Sequence, residues 1–130
     1  MLPTGWSCVG LVQHLALDVE RFWFRAVMAG EAGAWGGVDS EEPSAWLVEQ
    51  GTDPAEVLAL YRREIELSNA VIGAGRLESA PAAWPEGLFG DFRLPDLRAI
   101  LLHVLAETAC HAGHLDAARE LLDGRTWLVI

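Results

Sequence analysis

Apolar positions recur at three- and four-residue steps in three separate stretches of the chain, which predicts three amphipathic helices. In the first, Leu11, Leu15, Val19, Phe22 and Ala26 share one stripe, with Asp18, Glu20, Arg21 and Arg25 beside it or outside it. Ser7 is the expected N-cap and Gly30 the stop, so this helix should run from Ser7 to Ala29. The second carries Val57, Leu58, Tyr61, Ile65, Ser68 and Ile72 at the helical period. Asp53 at the N-cap, Pro54 at the first helical position and Glu56 completing a capping box mark its start; Gly73 and Gly75 mark its end. The third should span Pro95 to Asp123, a rod of roughly 43 Å. Pro95 and Asp96 suit its first turn and Gly124 its C-cap. No alternating strand pattern, internal repeat or low-complexity tract is present.

The two connections are rich in Gly and Pro and forbid continuous helix. They also carry Trp35, Trp46, Trp84, Phe89 and Phe92, so parts of them should pack down, and Ser44 to Gln50 suits a short helical turn. The expected fold is all-α, a single helical domain over residues 1–130 with up-down packing. Three amphipathic helices close a core less completely than four, and the apolar end Trp127 to Ile130 is available to fold over the gap.

Charge narrows the function classes. Nine basic residues face nineteen acidic ones, for a net charge of −10. Such a chain repels phosphate backbones, so nucleic acid is not the expected ligand. Every basic residue is Arg, which leaves no Schiff-base or Walker lysine. No stretch has the length of a membrane span, and no secretory leader is evident; with two cysteines only, Cys8 and Cys110, the expected location is the reducing cytoplasm. Neither cysteine is paired with a histidine as a nucleophile would be. The six tryptophans, Trp6, Trp23, Trp35, Trp46, Trp84 and Trp127, are expected to anchor core and loops, with one or two lining a pocket.

Candidate chemistry lies on the third helix, which holds three of the four histidines. Taking His103 as zero, Glu107 falls at about 40°, His111 at about 80° and His114 at about 20°, while Ile100 and Val104 fall at about 60° and 100°. His111 therefore points into the apolar stripe with Glu107 on its edge, one turn away. An imidazole and a carboxylate turned inward need a partner, and a divalent metal satisfies both. His14, flanking the stripe of the first helix, is the one histidine elsewhere and the natural third ligand. Two His and one carboxylate would leave coordination positions open, as catalytic sites do. The plain alternative is a satisfied core histidine at position 14 and an intrahelical hydrogen bond between Glu107 and His111. His103 is expected to be an exposed helix histidine. His114 is an accessory position, placed for a fourth ligand, a hydrogen bond to a ligand or a substrate contact.

The segments GWSCVGLVQHLALDVERFWF and DLRAILLHVLAETACHAGHLDAARELLDG resemble the DinB-like superfamily, in its actinobacterial mini-circle protein branch. The likeness is carried by L-V-x-H-L and E-T-A-x-H-A-G-H-x-D, and in the middle of the chain it extends to layout only. The resemblance implies a four-helix bundle in which His14, Glu107 and His111 hold a divalent metal, Zn or Ni. It also implies a low-molecular-weight thiol cosubstrate of the mycothiol kind, activated as the thiolate for transfer to an electrophile or for isomerisation. Relatives carry a further helix ahead of the segment that opens this chain, so three of the usual four helices are expected and the domain reads as N-terminally truncated. The apolar face left uncovered suggests a homodimer. Two rival functions are a non-catalytic helical interaction protein and a metal-dependent hydrolase; no catalytic residue beyond the ligands is assigned.

Overall fold

Local capping chemistry sets the helix ends. In the computed structural model, which describes residues 5–35 and 44–125, helix α1 begins as an α-helix over Cys8–His14 and continues as a π-helix over Leu15–Met28. The Ser7 hydroxyl accepts the Gly10 N–H at 3.0 Å, and Gly30 ends the helix at φ 70°. Helix α2 spans Pro54–Ala74, with the Asp53 carboxylate accepting from Ala55 N–H at 2.9 Å. Gly73 lies inside α2, and the helix stops one residue before Gly75. Helix α3 spans Leu97–Asp123. Asp96 is its N-cap, accepting from Ala99 N–H at 2.8 Å, so Pro95 precedes the helix rather than opening it. Gly124 closes it at φ 71°. Ser44 to Gln50 forms a tight turn, closed by Leu47 N–H on the Ser44 carbonyl, and not a helical one. Among the described residues there is no strand, and the fold is an all-α bundle. The Trp127 to Ile130 tail falls outside the described residues.

Contacts fix the directions. Cys8 and Val12 share a crevice with Val57 and Leu58, while Arg21 and Arg25 reach Glu64, so α1 and α2 run parallel. The long crossover between them permits this. His14 meets His111 and Trp23 meets His103, so α3 runs antiparallel to α1; the parallel α1–α2 pair departs from the expected up-down packing. The core joins Leu11, Leu15, Val19, Phe22, Trp23, Phe24 and Val27 of α1 to Leu97, Ile100 and Val104 of α3. The α1 stripe read from the sequence is buried at every position, whereas Leu58 of α2 is 44% exposed and outside the core. Leu102, Leu105, Leu121 and Leu122 of α3 are each more than 60% exposed.

The π-helical hydrogen bonding of α1 changes which of its side chains share a face. Its i→i+5 pattern, seen where Ala29 N–H meets the Phe24 carbonyl at 2.9 Å, takes more than four residues per turn. Side chains four to five apart then line up on one face. His14, Asp18 with Val19, and Phe22 with Trp23 are such a row, and all line one cleft.

One polar cluster ties α1 to α2. Glu64 is 1% exposed, and its carboxylate accepts from Arg21 at 2.7 and 3.1 Å and from Arg25 at 2.8 and 3.1 Å. Arg25 also donates to Glu31. Burial pushes the Glu64 carboxyl up, but the hydrogen bonds from Arg21 and Arg25, and their charges, outweigh it and hold it below its ordinary 4.5. Because the folded value is the lower one, this stabilisation is present above 4.5 and lost as pH falls through the native value. Glu20, raised by burial, works in the opposite sense. Urea denaturation from pH 6 downward should therefore show a steeper loss of stability below pH 4.5 in wild type than in Glu64→Gln. Parallel curves would refute the assignment.

Candidate metal and substrate site

Two histidines from different helices meet at one end of a cleft. His14 comes from the last α-helical turn of α1 and His111 from the inward face of α3, with ring centroids 4.9 Å apart and planes at 74°. His111 is 8% exposed. Burial lowers its pKa below 6.5, and the neighbouring His14 and His114 add to this against the opposing pull of Glu107. At neutral pH His111 is an uncharged imidazole, the form that binds metals. Its Nε2 lies 3.5 Å from Glu107 Oε2, and its Nδ1 lies 3.4 Å from Nδ1 of the exposed His114.

His14 is positioned by two groups. Its Nδ1 donates to Asp18 Oδ2 at 2.8 Å, one turn along α1, which leaves Nε2 free as an acceptor. Its ring stacks on Trp46 at 4.0 Å and 18°. Trp46 also meets His111 edge-on at 5.4 Å. The loop bearing Trp46 is held by Gln13, whose side-chain amide donates to the Ala45 carbonyl at 2.9 Å.

The cleft opens beside His14 and Glu107 with a volume of about 410 Å³. Val19, Phe22 and Trp23 of α1 and Leu88 and Phe89 of the loop before α3 make its apolar walls; Asp18 and His103 complete the lining. Phe89 stacks on Trp23 at 5.6 Å and 15°. That loop is pinned to the end of α1, where Ala82 and Ala83 N–H groups meet the Met28 and Val27 carbonyls at 3.1 Å. His103 is not the exposed histidine expected from the helical wheel. It is half-buried, 4.7 Å from Trp23 and 5.9 Å from Phe92 by ring centroids. The wheel lacked the loop that covers it.

The three ligand positions read from the sequence are thus neighbours, with His114 one turn beyond. Their chemistry suits zinc or nickel: two imidazoles and a carboxylate, one imidazole oriented by a second carboxylate. The 3.5 Å between His111 Nε2 and Glu107 Oε2 is close to the separation of about 3.4 Å that two ligands of one tetrahedral zinc ion would have. Among the described residues, however, no three His, Cys, Asp or Glu side chains form a ready ligand group, and His14 stands beside the pair without completing one. Cys110 is exposed and Cys8 half-buried, both as free thiols. Sequence reasoning missed Asp18 and Trp46 as partners of His14, and His103 as part of the cleft.

The all-α bundle agrees with the DinB-like resemblance of the sequence. The chain matches the mycothiol-S-transferase family over residues 1–124, and it belongs to that family. No curated protein and no solved structure matches it. No helix among the described residues is long and apolar enough to cross a membrane.

Proposed function

We propose that the chain is a divalent-metal-dependent thiol S-transferase, or an isomerase of the same kind, acting in the cytoplasm on a mycothiol-like thiol and an electrophile. The observation that carries this reading is the meeting of His14 and His111 from antiparallel helices, with Glu107 beside them, at the head of an apolar cleft in a member of this family. His14, Glu107 and His111 would hold zinc or nickel. Bound there, the cation would supply a lowered thiol pKa and a fixed position for the sulfur nucleophile.

The remaining roles belong to the chain's own groups. Asp18 fixes the His14 tautomer by accepting at Nδ1 and keeps Nε2 available. Trp46 restrains the His14 ring by stacking. Burial keeps His111 neutral, so no proton has to leave it at pH 7. The apolar walls of the cleft would receive the electrophile.

The test is elemental analysis of wild type and His111→Ala purified side by side without chelator, followed by turnover with and without added thiol. Near-stoichiometric zinc or nickel in wild type, lost in the variant, and thiol-dependent turnover are expected. Metal-free wild type whose thermal midpoint ignores added Zn²⁺ would overturn the metal assignment. Turnover that proceeds without thiol would replace transfer by hydrolysis.

A further inference from the structure

Resting on the thiol-transfer reading, we propose that His103 is the general acid of the reaction, and that the electrophile is one whose leaving atom is a basic oxygen, as in an epoxide. The cleft has a direction. On α1 its lining runs from His14 through Asp18 to Phe22 and Trp23; on α3 it runs from Glu107 to His103. His14 meets His111 and Trp23 meets His103, so the proposed ligands stand at one end and His103 at the other. Along α3, His103 and Glu107 are four residues apart, a rise of about 6 Å. A thiolate held beside Glu107 attacks a carbon about 3–3.5 Å away, and the leaving atom of an in-line displacement lies beyond that carbon. That atom falls about one helical turn from the sulfur, at the level of His103.

Elimination leads to the same residue. Asp18 accepts from His14, while His14 and Glu107 are proposed ligands. The rest of the lining among the described residues, His103 apart, is Val, Leu, Phe and Trp. The chain has no Lys, and its one tyrosine, Tyr61, lies on α2 outside the lining. His14, His111 and His114 each have a polar partner at a ring nitrogen; among the described residues His103 has none. Its ring is held instead by Trp23 at 4.7 Å and Phe92 at 5.9 Å. An imidazole titrates nearest neutrality, so it can give a proton and regain one from water. In the step itself the thiolate sulfur bonds to an epoxide carbon and the C–O bond breaks with its electron pair going to oxygen. That oxygen takes the proton of His103, and the proton regained from water replaces the one the thiol gave up on ionising.

The experiment compares wild type with His103→Phe, each carrying the metal it retains when purified without chelator, with mycothiol as the thiol and styrene oxide and benzyl chloride as electrophiles. Epoxide opening leaves an alkoxide that must be protonated, whereas chloride leaves as the free anion. The phenyl ring can keep the contacts with Trp23 and Phe92 but has no proton to give. At equal metal content, kcat/KM on styrene oxide should fall by about 100-fold more than on benzyl chloride. A second readout needs no turnover and no variant: calorimetric binding of two mycothiol adducts, 2-hydroxy-2-phenylethyl and 2-phenylethyl. Wild type should bind the hydroxylated adduct about five-fold more tightly, and His103→Phe should bind the two alike. Equal losses on the two electrophiles, equal binding of the two adducts by wild type, or wild-type turnover of benzyl chloride but not styrene oxide would each overturn this proposal and leave the transferase reading standing. Metal-free wild type without thiol-dependent turnover would overturn both.

Discussion

Glu64→Ala should lower the thermal midpoint by about 10 °C or more, the largest loss expected from any single polar substitution in the chain. The carboxylate is 1% exposed and accepts four hydrogen bonds from two guanidinium groups of α1. Removing one partner of a buried ion pair costs about 3–5 kcal/mol, because the charges left behind are desolvated without compensation. The Arg side chains are 26% and 17% exposed, so they recover some hydration, which places the expected loss near the lower end, about 3 kcal/mol. Arg25 retains Glu31, while no other acidic partner of Arg21 is found among the described residues. Arg21 should therefore be the more affected of the two. Thermal denaturation of Glu64→Ala and of the double variant Glu64→Ala/Arg21→Leu would check this. The double variant should recover part of the loss, since it removes the stranded charge. A single variant melting within about 2 °C of wild type would show that the cluster contributes nothing net.

That cluster also shows where the sequence stops being readable. Ser7, Asp53 and Gly124 act at helix ends as short-range chemistry predicts, and five stripe positions of α1 are buried as their period requires. Those features depend only on neighbours along the chain. Glu64 shares the period of Val57, Tyr61 and Ser68, and Arg21 and Arg25 are one turn apart, so the signal existed. It could not be used without knowing that α1 and α2 run parallel in this register. His14, Glu107 and His111 were legible as a candidate ligand set, because an i, i+4 pair turned toward an apolar stripe demands a partner and His14 is the one histidine on another helix. Asp18 stands four residues after His14, the same i, i+4 spacing as Glu107 and His111, so its signal was present in the sequence and was passed over because Asp18 was read only as a polar neighbour of the stripe. Trp46 and Phe89 come from loops, which carry no period, so the roof over His14 and the wall beside His103 had no signature in the pattern of residues.

Gly10→Ala should destabilise the protein by about 1–3 kcal/mol and strip the Trp46 ring from His14, although alanine is the better helix former. Gly10 is buried in the first turns of α1 and has ordinary helical geometry, so conformational freedom is not what requires glycine there. The requirement is space. A Cβ at this position would overlap the backbone carbonyl oxygen of Trp46 and lie 3.2 Å from its carbon. Neither atom is the end of a flexible side chain, so the segment around Trp46 has to retreat from α1. That segment holds its place through the Gln13 hydrogen bonds to the Ala45 and Leu47 carbonyls, and it carries the indole that stacks on His14. The displacement is therefore transmitted directly to the proposed ligand. The check is a pair of variants, with Gly73→Ala as the control, since that α2 position is exposed and a Cβ there meets nothing within 4 Å. Gly73→Ala should raise stability by about 1 kcal/mol, as glycine replacement in an open helix does. Gly10→Ala should lower it and release the His14 ring protons from the ring-current shift of the stacked indole, read by NMR. Equal stability with an unchanged His14 signal would mean that the Trp46 loop yields without consequence and does not position the histidine.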